Sequence, residues 1–223
     1  MADIRFWARR GAAQHDEGFT MVELMIALGV FAIFLGVALS SILSLTKAST
    51  QTQVTARSSS AELALFSRLD HQIRYADSIN YPGVGSTTGD AYIEFRTPAL
   101  STASGIALCT QWRFDPTAHK IQTRQWNDTT GTHAGNVWDT LLTNVATDPG
   151  ADYPFMLIPA SADGSSNQEL QITVDSGNTA VEGAAIVSTF VARNSDVVTS
   201  TSNSDATTPG VSDFPICTGS SRP

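Results

Sequence analysis

Gly18-Phe19-Thr20-Met21-Val22-Glu23 runs straight into LMIALGVFAIFLGVALSSILSL, residues 24–45, which carry no formal charge. At 1.5 Å per residue a helix over that run reaches roughly 33 Å, enough to cross a bilayer core of about 30 Å. A secretory signal peptide has a shorter apolar core with a small-residue cleavage site behind it. Here Ala38-Leu39-Ser40 loosely supplies small-x-small, but Ile42, Leu43 and Leu45 carry the apolar run past it. Arg9 and Arg10 are consecutive, yet residues 11–18 separate them from the apolar core, unlike a twin-arginine signal. The run therefore reads as a retained membrane anchor. Glu23 stands at its edge, where a carboxylate is costly and marks a specific partner. The plainer alternative is a carboxylate that snorkels among headgroups.

Gly18, Phe19, the three residues that follow, Glu23 and the long apolar run together resemble the N-terminal signature of the type IV prepilin family. The resemblance implies that a membrane-embedded aspartyl peptidase, prepilin peptidase, cuts between Gly18 and Phe19 and methylates the new amine of Phe19. It also implies that Glu23, fifth in the mature chain, pairs with the amine of a neighbouring subunit. A small residue at Gly18 lets a protease approach the backbone closely, and a cut before the anchor leaves the anchor on the product. The implied partners are prepilin peptidase, other pilin or pseudopilin subunits, an inner-membrane assembly platform and membrane lipid. The implied location is a single pass through the inner membrane, with the head outside the cytoplasm and on a pilus or pseudopilus after assembly. The leader is long for some branches of the family. Ser40 and Ser41 stand where abundant shaft subunits often carry a proline. These departures point to a minor pilin or pseudopilin that primes assembly or sits at the tip. Residues 69–79, LDHQIRYADSI, also resemble the matching helix of W-type pilus subunits and J-type subunits of type II secretion.

Beyond Lys47 the chain turns polar but keeps a helical pattern. Leu63, Phe66, Leu69, Ile73 and Ala76 step by three and four, which predicts one buried stripe, with Glu62, Arg68, Asp70 and Arg74 on the other faces. Pro82 and Gly83 are the expected stop. A helix from Phe19 to Asn80 would be on the order of 90 Å long. After it come alternating segments at 91–96, 108–114, 120–126, 155–158, 170–174 and 185–192, set apart by Gly, Pro, Asn and Asp clusters. The expected fold is α+β, a long N-terminal helix packed on an antiparallel β-sheet head as in pilins. The expected divisions are a leader (1–18), a transmembrane and polymerisation helix (19–46), its amphipathic half (47–81), the head (82–194) and a Ser/Thr-rich tail (195–223).

Unaided, that tail would stay a loop. Cys109 and Cys217 are the chain's two cysteines. A disulfide between them would close a loop of about a hundred residues, worth about 4 kcal/mol by chain entropy, in an oxidising compartment. The alternative is two unpaired thiols, Cys109 buried in a strand.

With 21 acidic against 13 basic residues and a net charge of −8, the chain is poorly suited to a phosphate backbone, and no nucleic-acid partner is expected. A pilus-displayed adhesin or DNA-capture module is the competing class, resting on a local basic patch at Arg113, Lys120 and Arg124. No P-loop, G-x-S-x-G, H-E-x-x-H or C-x-x-C motif occurs, so no catalytic residue and no cofactor are expected. Asp196, Asp205 and Asp213 miss EF-hand spacing, and no metal is expected there. Trp112, Trp126 and Trp138 read as core more readily than as a binding face.

Overall fold

The structure, a computed structural model, describes residues 18–128, 137–146, 153–161, 164–178, 181–202 and 216–222. The expected leader, apart from Gly18, lies outside the described residues. The chain forms two compact units, residues 1–49 and 50–223.

Helix α1 runs from Met21 to Arg74. Its portion in the first unit buries no residue. The helix contains an eighteen-residue window of mean hydropathy 2.5 and is long and apolar enough to cross a membrane. The hydroxyls of Ser40, Ser41 and Thr46 are satisfied locally. Ser40 and Ser41 both donate to the Val37 carbonyl at 2.9 Å, and Thr46 donates to that of Ile42. Such back-bonding lets a hydroxyl sit in hydrocarbon without an unmet bond.

The second unit packs the rest of α1 against two antiparallel sheets. Strands β1 (Ser78–Ile79), β3 (Ala91–Thr97), β4 (Leu108–Asp115), β5 (Lys120–Asn127) and β6 (Asp139–Thr143) lie in the order β1-β3-β4-β5-β6, and β2 (Gly83–Val84) also pairs with β3. Strands β7 (Phe155–Ile158), β8 (Glu169–Asn178) and β9 (Val181–Val191) form the second sheet in that order. A short helix α2 (Val197–Ser202) follows. Phe66, Leu69 and Ile73 of α1 meet Ile93, Phe95, Trp112, Ile121, Leu170 and Ile172 in one core. The Trp112 indole N–H donates to Gln72 Oε1 at 3.1 Å and ties helix to sheet.

The α+β architecture agrees with the sequence expectation, and so do strands β3, β4, β5, β7, β8 and β9. The helix, however, ends at Arg74, ahead of Pro82. Ile79 explains the early stop. Its side chain is fully buried, its backbone pairs with Phe95, and its N–H donates to Gln168 Oε1 at 2.8 Å. Tertiary pairing overrides the local helical pattern. Of the expected stripe, Phe66, Leu69, Ile73 and Ala76 are buried, and Leu63 is not. Leu63 is 63% exposed, whereas Leu65 and Glu62 are buried, so Glu62 faces the core. Strands β1, β2 and β6 were not expected. They are short and depend on their neighbours.

The first sheet is buried on both faces. Ile93, Phe95, Trp112 and Phe114 face α1, while Glu94, Cys109, Gln111 and Trp126 face the other way yet are also buried. Residues 216–222 of the tail cover them. Cys109 and Cys217 are joined in a disulfide with Cα atoms 5.8 Å apart. The Trp126 indole donates to the Thr218 carbonyl at 2.9 Å, and Arg222 pairs with the fully buried Glu94.

Candidate functional site: the helix start and the head surface

Gly18, Phe19 and Thr20 are non-helical and exposed. A Cβ at Gly18 would meet open space, and Phe19 is 82% exposed. Among the described residues nothing crowds either side of this peptide bond. Thr20 is the N-cap of α1. Its Oγ1 accepts from the Glu23 N–H at 3.2 Å, and its carbonyl accepts from the Leu24 N–H at 3.1 Å. Thr20-x-x-Glu23 has the spacing of a capping box. Glu23 thus sits in the first turn, where the helix dipole favours a negative charge, with its side chain exposed. Thr20 was missed at the sequence level, although Thr-x-x-Glu before an apolar run is a recognisable start signal.

In the head, the expected basic patch is engaged internally. Arg113 pairs with Asp90 at 3.2 Å and lies 4.3 Å from the centroid of Trp138. Arg124 is buried, donates to Gln111 Oε1 at 2.6 Å and to the Ser221 carbonyl at 3.2 Å, and stacks 4.5 Å from the same Trp138 ring. Burial lowers the Arg124 pKa from its ordinary value, with Tyr92 and Glu94 opposing that shift. Lys120 is partly exposed in β5. Trp112 and Trp126 are core residues, while Trp138 is half-buried between the two guanidinium groups.

Two carboxylates are held in costly places. Glu62 is buried, one oxygen accepts from the Ser176 hydroxyl, and Oε2 has no hydrogen-bond partner among the described residues. Burial raises its pKa, the Ser176 bond opposes this, and Asp175 adds to it. Asp77 is likewise raised by burial, with Arg96 at 3.6 Å opposing.

A groove of about 930 Å³ runs between α1 and the β3–β4 connection, lined by Arg68, His71, Tyr75, Thr102, Thr110 and Gln125 among others, with no carboxylate. Among the described residues no three His, Cys, Asp or Glu side chains gather into a metal site. Asp196 instead caps α2, its Oδ1 accepting from the Thr199 N–H at 2.7 Å, a bond that lowers its pKa. Asp205 and Asp213 lie outside the described residues.

The family model described as the prokaryotic N-terminal methylation motif matches residues 14–39. That span holds Gly18, Phe19, Thr20, Glu23 and the first part of the apolar helix. Neither a curated protein nor a solved structure matches the chain.

Proposed function

We propose that this chain is a minor type IV pilin or pseudopilin, placed at the tip or priming assembly, a reading supported by the N-terminal methylation motif matched at residues 14–39. The motif implies processing by prepilin peptidase and assembly with other pilin subunits. The proposed cut falls between Gly18 and Phe19, and the proposed methylation is on the Phe19 amine. The anchor then stays in the inner membrane among lipids until the assembly platform takes it up, with the head outside the cytoplasm. One observation carries the reading: an exposed Gly18-Phe19 bond stands directly before a capped, bare apolar helix with Glu23 in its first turn.

The chemistry of each part follows. Cleavage creates a cationic amine at Phe19, four residues before Glu23. In a packed array of apolar helices a lone carboxylate is costly, and the amine of a neighbour is the complementary charge. Pairing fixes the stagger between helices, because any other register leaves both charges in hydrocarbon. The disulfide that fixes the tail suits an oxidising compartment. Ser40 and Ser41 keep the helix unbroken where a proline would open it, which supports the minor-subunit reading.

Glu23→Gln separates pairing from capping, since Gln serves at that capping-box position as well as Glu. The variant should insert in the membrane at normal levels and be depleted from filaments. Normal filament content would remove the pairing role. Subunit counting in sheared filaments tests the minor status, with few copies per filament expected.

A further inference from the structure

The second sheet ends in an undefended edge. Strand β9 is 11 residues long and has β8 as its neighbour, with no strand on its other side among the described residues. From Gly183 to Val191 it holds no charge and no proline. Natural edge strands are kept short, charged or bent, because their unpaired N–H and C=O groups capture other chains. The molecule's other long-sheet edges obey that rule. β6 is 5 residues, begins at Asp139 and shifts register against β5, and β7 is 4 residues and follows Pro154.

The register identifies the free groups. The Ala192 N–H donates to the Gln168 carbonyl at 2.9 Å, so this facing pair marks a hydrogen-bonded site of the ladder. Such sites recur at every second residue in an antiparallel pair, which with Leu170 opposite Phe190 and Ile172 opposite Ser188 assigns them to residues 190, 188 and 186. The backbone groups of Ala185, Val187, Thr189 and Val191 consequently point away from β8. The side chains of these four are exposed on the outer face, while Phe190 turns inward to Phe66, ring centroids 5.9 Å apart.

Donors and acceptors that repeat every second residue along a line match one kind of ligand, an extended backbone. We propose that the β9 edge is a strand-addition site, filled in the assembly by an extended, uncharged segment of an adjacent subunit. The identity of the occupant rests on the pilin reading; the edge itself does not. An uncharged segment suits the edge, since residues 183–191 offer no charge to pair with one. Small or β-branched side chains opposite Ala185, Val187 and Val191 gain contact on the outer face. A second copy paired through its own β9 fits worse. Antiparallel pairing of identical edges runs about a two-fold axis normal to the sheet. That axis turns the partner's helix segment 62–73, packed on the sheet, end for end, whereas subunits anchored in one membrane share a direction.

The test uses the full chain in its own cells. Val187→Lys and Thr189→Lys place a charge on the edge, and Leu100→Lys places one on a wholly exposed residue elsewhere in the head. All three should reach wild-type levels in membranes with the disulfide formed. The edge variants should fall about tenfold in sheared filaments, with Leu100→Lys unchanged. Edge variants at wild-type filament content overturn the proposal. Val187→Cys adds a lone thiol, because the native pair is bonded. A benzophenone maleimide placed there should insert into an extended segment of another subunit. An adduct solely with a second copy, or none in intact filaments, overturns the named occupant. A wild-type chain that keeps Met1 overturns the pilin reading and its occupant; normal processing with an indifferent edge overturns strand addition alone.

Discussion

One helix carries two opposite burial patterns. Residues 24–45 of α1 are uncharged throughout and bury nothing, whereas residues 62–73 are mixed in polarity and bury Glu62, Leu65, Phe66, Leu69 and Ile73. The second segment is stabilised by its own head. The first exposes Phe31, Phe34 and Leu35 in a continuous apolar surface that water would not tolerate. One helix is thus packed at one end and bare at the other. The difference teaches that substitutions in the packed segment act on the folding of the head, whereas those in the bare segment leave the head alone and, on the proposed reading, act on assembly.

The sharpest break lies in the head. Arg222→Ala leaves the fully buried Glu94 without its cation and should cost the head about 3 kcal/mol, read as a lowered urea midpoint. Leu69→Ala opens a cavity where a side chain is wholly enclosed and should cost about 2–5 kcal/mol in the same assay.

Glu62→Gln should move stability the other way at neutral pH. Burial raises the Glu62 carboxyl above its ordinary 4.5, so the folded head holds that proton more tightly than the unfolded chain. The stabilisation from protonation is fully present below the unfolded value and is lost as pH rises through the raised folded value. The amide removes this loss. Urea midpoints at about pH 4 and about pH 8 should lie closer together in the variant, with a gain of about 1 kcal/mol at the higher pH.

The smallest effect is expected in the bare segment. Leu35→Ala should leave head stability within about 0.5 kcal/mol. A large shift there would show that the two segments are not independent.

The same contrast explains what the sequence disclosed. An uncharged run of 22 residues admits few readings, so the long apolar helix was legible from residue types, and its Gly-Phe-x-x-x-Glu entry from resemblance to a family signature. Strands β3, β4 and β5 announced themselves by alternation. Glu62 was misplaced because an amphipathic stripe locates a face only to within a residue or so, and a buried carboxylate contradicts the pattern it sits in. The helix end was missed because Ile79 leaves the helix to meet Phe95 and Gln168, partners 16 and 89 residues away, which local propensity cannot register. The double burial of the first sheet was hidden for the same reason. Its second cover is the Ser/Thr-rich tail, whose contacts rest on Cys217 and Arg222. The Arg113 and Arg124 patch looked free in sequence because Asp90, Gln111, Trp138 and Ser221 are brought to it only by the fold.

The mass of the N-terminal peptide, measured on membranes and on sheared surface filaments, tests the central claim most directly. The account predicts a peptide that begins at N-methylated Phe19 in both fractions. A chain that still begins at Met1, or one cut after the apolar run, would contradict it.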